Sequence, residues 1–210
     1  MSVVISILNQ KGGAGKTTLA SNLAINLHRS GGHVLLVDTD PQGSSRDWRA
    51  TNENNPITVI GLDRPSLARD IKSVGRDYDV VVVDGAPQLK ELAAAAICAS
   101  DVILVPVQPS PYDIWAAADL VELITTRQEV LNGKLQAAFI VNRAIQNTHL
   151  SKEVFEALSH YSLPIFKSFT CQRVAYSSSA SLGQSVFETS DDKAKQEIQQ
   201  ITEELMQWVN

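Results

Sequence analysis

The sequence predicts an α/β fold in which one twisted, mostly parallel sheet carries helices on both faces. Two observations lead to this prediction. Short apolar segments alternate with helical patterns along the whole chain, as expected where parallel strands are joined by crossover helices. The apolar segments are rich in valine and isoleucine and show no polar alternation, which is typical of strands that are buried on both faces.

The predicted elements follow one another in strict alternation, with turn signals between them. Gly31-Gly32 ends the first helix, and Ser66 is a plausible N-cap of the third. The predicted strands cover residues 3–8, 33–38, 57–61, 79–84, 102–107, 136–142 and 164–169. The predicted helices cover residues 18–30, 44–50, 66–75, 89–99, 112–131, 151–159 and 191–209. No repeat or linker divides the 210 residues, so we expect a single domain over 1–210.

Composition and charge narrow the class of protein. Hydrophobic residues make up 44% and charged residues 20% of the chain, an ordinary globular balance. A net charge of −5 does not indicate a nucleic-acid binder, so DNA binding would need a local basic patch completed by dimerisation. Cys98 and Cys171 match no metal spacing and fit a reducing cytoplasm. No signal peptide and no bilayer-spanning apolar run is evident.

Residues 9–18 predict a phosphate-binding loop, and with it a P-loop fold. They read Asn-Gln-Lys-Gly-Gly-Ala-Gly-Lys-Thr-Thr and lie between a predicted strand and a predicted helix. Glycines allow backbone N–H groups to curl around a phosphate, and the helix N-terminus favours the same anion. Lys16 would reach the β- and γ-phosphates, and the Thr17 hydroxyl would hold Mg²⁺. The alternative, a glycine-rich turn without a ligand, leaves the two lysines unexplained.

Carboxylates follow two further strands. Asp38 and Asp40 lie at the end of the second strand, where buried charge is costly unless it serves a cation or a water. A solvated turn is the alternative for this pair. Asp84 ends a strand of four valines and is the candidate to hold Mg²⁺, directly or through a water, and Gly85 would let the backbone move with the γ-phosphate.

Residues 142–145, Asn-Arg-Ala-Ile, follow the strand at 136–142 and bear on the nucleotide base. A guanine-reading motif needs an acidic residue at the fourth position, where this chain has Ile145. The sequence therefore favours ATP over GTP.

The loop departs from the commonest form of the motif, because Gln10 stands where a glycine is usual and Lys11 precedes the glycines. This K-G-G-x-G-K-T-T variant, with D-x-D-P-Q-G at residues 38–43, resembles the ParA/MinD superfamily of ATPases with a deviant Walker A loop. The resemblance covers the whole chain and is strongest for small plasmid-type ParA partition ATPases. The residues expected to bind the phosphates are Lys11, Gly12, Gly13, Ala14, Gly15, Lys16, Thr17 and Thr18.

The resemblance implies roles for several site residues. Lys11 would reach across a dimer interface to the partner's nucleotide, and Asp40 would position the attacking water. Lys11, Lys16 and Asp40 are thus the expected catalytic residues, and Thr17, Asp38 and Asp84 the expected metal site. Asn142 would contact adenine. Residues 106–113, including Pro109, would line the nucleotide and the dimer interface, although Asp113 could instead cap the following helix.

Two C-terminal segments, residues 169–174 and 180–187, also match the family pattern, which implies a contribution to the base pocket and to a basic surface. Arg173 is the first candidate for contact with the DNA backbone, followed by Lys193 and Lys195. Taken singly, such a residue is more often a solvated surface charge, because phosphate contacts leave no local sequence signature.

The implied function is that of a cytoplasmic, Mg²⁺-dependent ATPase that cycles between ATP and ADP and partitions or positions a cargo, with plasmid segregation the first expectation. ATP would drive homodimerisation and binding to nucleoid DNA of any sequence, and a ParB-like or centromere-binding adaptor would stimulate hydrolysis. A plasmid, a chromosome, a carboxysome or a chemosensory cluster could be the cargo. The loop begins at residue 9, so no N-terminal helix-turn-helix domain is expected.

Two alternatives remain: a MinD-like ATPase on the membrane and a small-molecule ligase on the same fold. The last predicted helix has an apolar stripe but an acidic polar face, and anionic lipid would repel such a face. We therefore expect the stripe to pack onto the body of the protein and expect no membrane binding. The stripe consists of Ile198, Ile201, Leu205 and Trp208.

Overall fold

The computed structural model describes residues 2–87, 90–145 and 149–209, with residues 149–152 described through their backbone. The strands are β1 Val3–Ile7, β2 Val34–Asp38, β3 Thr58–Gly61, β4 Val80–Asp84, β5 Val102–Val107 and β6 Gln136–Val141. The helices are α1 Lys16–Arg29, α2 Ser44–Ala50, α3 Leu67–Val74, α4 Lys90–Ala99, α5 Pro111–Ala116, α6 Ala118–Val130, α7 His149–Leu158, α8 Val174–Ala180 and α9 Asp192–Val209. Short 3-10 helices cover Gly75–Asp77 and Val186–Glu188.

The six strands form one sheet in the order β3-β2-β4-β1-β5-β6, and every pairing is parallel. The predicted α/β class is therefore confirmed. The register places Asp38 directly beside Asp84, and Ile7, which precedes the loop, beside Asp84 on its other side. All three carboxyl ends thus open at one edge of the sheet, where ligands bind in folds of this class.

Helices cover both faces of the sheet, and successive strand residues divide between two hydrophobic clusters. In β4, Val81 and Val83 pack toward the cluster that includes α3, α4 and α6, while Val80 and Val82 pack toward α1 and α9. Each large aliphatic side chain that is fully buried contributes about 1.5–3 kcal/mol. The run of four valines is therefore explained by a central strand with no solvent-facing side.

Two predicted elements differ from the structure. The long helix predicted at 112–131 is two helices, α5 and α6, which meet at the fully buried Ala117, whose N–H bonds to the Ile114 carbonyl three residues back. The strand predicted at 164–169 is a single parallel bridge between Ile165 and Phe139. Pro164 has no N–H to donate to a ladder, and the N–H groups of Lys167 and Ser168 donate to Glu204 of α9, both at 2.8 Å, instead of to β6.

The remaining differences concern short elements. α8 and the two 3-10 helices were not anticipated, because serine-rich or three-residue segments carry little periodic signal. The predicted start of the fourth helix at Leu89 lies outside the described residues.

The packing of α9 confirms the expectation for its apolar stripe. Ile198, Ile201 and Leu205 are fully buried beside α1, and Trp208 stands edge-on to the buried Phe166 with ring centroids 5.0 Å apart. Among the described residues, no helix has both the length and the apolarity needed to cross a bilayer.

The short helix α2 is attached to a distant turn at its far end. The Trp48 indole N–H donates to the Gln184 carbonyl at 2.9 Å, and Asn55 Nδ2 donates to the Gly183 carbonyl at 2.9 Å. Gly183 has φ of 64°, and a Cβ there would lie 2.7 Å from the Trp48 carbonyl oxygen. The turn at 183–184 therefore packs tightly on α2 and accepts only glycine at this position.

Candidate functional site

A cleft of about 250 Å³ lies at the carboxyl edge of the sheet, between the loop that follows β1 and the turns that follow β2 and β4. It combines loop glycines, a lysine, hydroxyls and a carboxylate. Its lining residues are Gly12, Gly13, Gly15, Lys16, Thr17, Thr18, Asp40, Ser44, Gly85, Pro87 and Arg143. The predicted phosphate loop and Asp40 are thus brought together in one place.

The loop packs against Asn142, the residue that directly follows β6. Gly15 has φ of 95°, and a Cβ there would lie 1.9 Å from Asn142 Nδ2. The same Asn142 Nδ2 donates to the Ala14 carbonyl at 2.7 Å, and the Thr170 hydroxyl donates to Asn142 Oδ1. The buried Asn142 therefore helps to fix the conformation of the loop. Its predicted contact with adenine stays a prediction.

Two side chains that the sequence did not single out also shape the loop. Asn9 donates to the Pro106 carbonyl at 2.6 Å, and Gln108 Nε2 donates to the Gly13 carbonyl at 2.6 Å. Residues 106–113 therefore contact the loop, with Pro109 half-buried among them. Contact with a nucleotide or a second subunit by this segment remains a prediction.

Lys16 is buried inside the loop, where its Nζ donates to the Lys11 carbonyl at 3.0 Å. Burial lowers the pKa of Lys16, while the nearby Asp84 and Asp40 carboxylates oppose that shift. A buried ammonium with a single backbone acceptor is suited to an incoming anion, as the loop motif predicts.

Asp84 is the centre of the predicted metal site. Its side chain is 1% exposed, and its Oδ2 accepts hydrogen bonds from the Thr17 and Ser45 hydroxyls, both at 2.7 Å. Its Oδ1 is also buried, and none of the described residues donates a hydrogen bond to it. Burial raises the pKa of Asp84 to about 6 despite the two hydroxyl donors, and the neighbouring Asp38 adds to the rise.

This arrangement fits Mg²⁺. The ion takes oxygen ligands, typically one or two from the protein, with waters and phosphate oxygens completing the octahedron. Thr17 and Asp84 supply such oxygens at the loop, and the unbonded Oδ1 of Asp84 has no other partner to satisfy it. Among the residues that the structure describes, no group of three His, Cys, Asp or Glu side chains offers another metal site.

Asp38 is fully buried, but its oxygens are bonded to its own turn. Oδ1 accepts from the Asp40 N–H at 3.0 Å, and Oδ2 accepts from the N–H groups of Ser45 and Arg46, both at 3.1 Å. The carboxylate therefore orders the turn between β2 and α2. A direct role for Asp38 as a metal ligand stays a prediction.

The turns after β2 and β4 are joined by Thr39, which the sequence analysis did not identify. Its hydroxyl donates to the Asp84 carbonyl at 2.9 Å and accepts from the Ala86 N–H at 2.9 Å. Ser45 joins the same two turns through the Asp84 carboxylate. Both residues sit beside predicted carboxylates, yet nothing in a single sequence distinguishes them from ordinary turn residues.

Lys11 pairs with Asp113 of its own chain. The Nζ–Oδ2 distance is 2.5 Å, and the Lys11 side chain is 38% exposed while that of Asp113 is 3% exposed. Asp113 Oδ1 has no hydrogen-bond partner, so this carboxylate does not cap α5. Asp113 was expected either to line the nucleotide and dimer interface or to cap α5, and the structure excludes the cap. The contact of Lys11 with a partner's nucleotide remains a prediction.

The residues predicted to contact DNA lie far along the chain, around α9. Arg173 is 18% exposed, and its Nε and Nη2 both donate to Glu197 Oε1, at 2.8 and 2.7 Å. Lys195 pairs with Asp192 at 2.9 Å, while Lys193 is exposed and lines an open groove of about 820 Å³ beside α9. Any DNA contact by Arg173 must therefore compete with Glu197, and the DNA assignments stay predictions.

Several known proteins resemble this chain over most of its length. Residues 5–186 match the model of the CobQ/CobB/MinD/ParA nucleotide binding domain. "Maintenance of carboxysome distribution protein A" of Halothiobacillus neapolitanus is 30% identical, covering 96% of this chain and 95% of its own. The "Chromosome-partitioning ATPase Soj" of Thermus thermophilus is 28% identical, covering 87% and 86%.

The fold is shared with solved structures. The septum site-determining protein MinD of Pyrococcus horikoshii, solved with Mg-ADP, superimposes with a TM-score of 0.75 at 20% identity, over 98% of this chain and 96% of its own. At that identity the likeness concerns the fold alone. Because the family model matches most of its length, the chain belongs to the CobQ/CobB/MinD/ParA family of nucleotide-binding domains.

Proposed function

We propose that this protein is a Mg²⁺-dependent ATPase that dimerises when it holds ATP and positions a large cargo in the cell. One observation carries the proposal: the Thr17 and Ser45 hydroxyls meet on one oxygen of the buried Asp84 and leave its other oxygen unbonded. This constellation lies beside a glycine-rich loop with Lys16 at its centre.

The residues of the cleft would have separate roles in phosphoryl transfer. Magnesium held by Thr17 and Asp84 would neutralise charge on the β- and γ-phosphates. Lys16 and the N–H groups of residues 12–18 bind and orient the phosphates. Asp40 lines the same cleft and carries the carboxylate that would hold the attacking water. ATP, ADP and Mg²⁺ are therefore the proposed ligands.

Dimerisation would involve Lys11, which the chain holds against Asp113. Transfer of Lys11 to a partner's nucleotide leaves the Asp113 carboxylate buried and unpaired, a state that costs about 1–3 kcal/mol unless the partner supplies a donor. In this scheme the ion pair opposes dimerisation until a triphosphate offers Lys11 a stronger anion.

The cargo is the open part of the proposal. Names of the relatives mention carboxysome distribution and chromosome partitioning, so they support cargo positioning as the common theme and do not single out plasmid segregation. We propose that the ATP-bound dimer binds nucleoid DNA of any sequence, and that a cargo-bound adaptor releases it by stimulating hydrolysis. A MinD-like membrane role is disfavoured, because the apolar stripe of α9 is buried.

The experiment is DNA binding by the purified protein in ADP, ATP or a non-hydrolysable ATP analogue, at fixed salt. We expect binding with triphosphate only, insensitive to DNA sequence, and lost in Lys16→Ala. Sedimentation with anionic liposomes is the parallel measurement. DNA binding of equal strength in ADP, or ATP-dependent binding to liposomes alone, would refute the proposal.

A further inference from the structure

We propose that Arg46 is a positioning residue for ATP hydrolysis, which holds the turn that carries Asp40. The inference rests on the proposed ATPase function and deepens it. Arg46 lies in the first turn of α2, immediately after the turn of residues 38–43.

The Arg46 side chain bonds back to the turn that precedes it. Its Nη2 donates to the Asp40 carbonyl at 2.8 Å and to the Pro41 carbonyl at 3.3 Å. Its Nε forms an ion pair with Asp38 Oδ2 at 3.5 Å without a hydrogen bond among the described residues, and the same oxygen accepts a hydrogen bond from the backbone N–H of Arg46. One side chain therefore joins the backbone of Asp40 to the buried carboxylate of Asp38.

The guanidinium is also packed between two glycines. A Cβ at Gly43 would lie 3.0 Å from Nη2, and a Cβ at Gly61 would lie 3.0 Å from Nη1. Gly61 is the last residue of β3 and pairs in register with Asp38. Arg46 thus fills the space between the end of an edge strand and the turn, which leaves its side chain 39% exposed.

Thr39 is tied to the turn after β4, but the next two residues of the turn, Asp40 and Pro41, have Arg46 as their side-chain support from outside the turn. Among the described residues, Asp40 Oδ1 accepts only from the N–H of Gln42, within the same turn, and the Asp40 carbonyl accepts from the Gly43 N–H. Among the described side chains, Arg46 alone donates to the carbonyls of Asp40 and Pro41. Displacing a catalytic group by about 1 Å can cost about 100-fold in rate. Loss of Arg46 should therefore slow hydrolysis without weakening the binding of ATP.

The test compares Arg46→Ala with wild type in steady-state ATPase assays with Mg-ATP and non-specific DNA. We expect kcat to fall about 10- to 100-fold while KM for ATP and the Kd for a fluorescent ATP analogue change by less than about threefold. Arg46→Lys, which can still donate to one carbonyl, should recover part of kcat.

Arg49→Ala is the matched control. Arg49 lies on the same helix and also bonds two carbonyls, those of Ile57 at 2.9 Å and Asn52 at 3.0 Å, but these lie beyond the far end of α2. We expect a similar loss of thermal stability in both alanine variants and a wild-type kcat in Arg49→Ala alone.

Gly61→Ala tests the same contact from the other side. Gly61 does not have a left-handed φ, and the three atoms nearest to an added Cβ all belong to the Arg46 side chain. The substitution should lower kcat in the wild-type background and have almost no further effect in Arg46→Ala, a non-additivity that a general loss of stability would not produce.

Several results would overturn the inference. A wild-type kcat in Arg46→Ala, an equal fall in Arg49→Ala, or additive effects of Gly61→Ala would each do so while leaving the ATPase proposal intact. If Arg46→Ala does not fold, a wild-type kcat in both Arg46→Lys and the single variant Gly61→Ala overturns the inference in its place. Absence of Mg²⁺-dependent ATPase activity in the wild type would instead overturn the proposed function, and this inference with it.

Discussion

The buried carboxylate of Asp84 makes the stability of the ligand-free protein depend on pH, and Asp84→Asn should remove that dependence. Its pKa is raised from 3.8 to about 6, chiefly by burial. A group with a raised pKa favours the folded state when it is protonated, so this stability is present below about pH 4 and is lost as pH rises through about 6. At 1.36 kcal/mol per pKa unit, the loss amounts to about 3 kcal/mol.

The assay is urea unfolding from pH 4 to 8 in a chelator, without nucleotide, for wild type and Asp84→Asn. The isosteric amide cannot ionise, so the stability advantage of the variant should grow by about 3 kcal/mol across this range. Asp119→Asn, on the exposed Asp119 of α6, controls for the general pH dependence. Added Mg-ATP should stabilise the wild type at pH 7.5 and the variant far less. Parallel stability curves for wild type and Asp84→Asn would refute the reasoning.

Three further substitutions test other parts of the structure. Gly15→Ala places a Cβ against the Asn142 amide at a positive φ, so binding of a fluorescent ATP analogue should fall at least tenfold; unchanged affinity would contradict the geometry of the loop. Lys11→Ala leaves the Asp113 carboxylate buried without a partner and should cost about 1–3 kcal/mol in urea unfolding, part of which Asp113→Asn in the same background recovers. Ile201→Ala opens a cavity beneath α9 and should cost about 2–5 kcal/mol, whereas a change below 1 kcal/mol would show that α9 is not packed as described.

Most of the sheet was predictable because its strands, apart from the edge strand β3, are buried on both faces. The four valines of residues 80–83 can only suit a central strand, and the structure puts them there. The bridge at Ile165 was not predictable in its length, because the sequence does not show that the N–H groups of Lys167 and Ser168 bond to Glu204 rather than to β6. The break at Ala117 likewise depends on the packing of α5 and α6, which leaves no mark on helical periodicity.

The candidate site was predictable where backbone geometry or charge demanded particular residues. Glycines at 13 and 15 have positive φ, and a buried carboxylate such as Asp84 needs a reason to be there. Asn142 was singled out through a resemblance, but its bond to the Ala14 carbonyl became evident only in three dimensions. The pairing of Arg173 with Glu197 could not be predicted from the sequence either, because the two residues lie 24 positions apart.

Helix α2 contacts two segments that are far apart in the sequence, the turn after β4 and the turn at 183–184. Its first turn presents the Ser45 hydroxyl to Asp84, and its later residues hold the Gly183–Gln184 turn through Trp48. Seven residues of helix span only about 10 Å and bend little, so the two ends move as one body. We expect a shift at the phosphate end to displace the far turn as well, whose next residues contact α1 through the bond from the Val186 N–H to Asn22 Oδ1. Helix α2 would then couple the cleft to the face of the sheet that lies opposite α3.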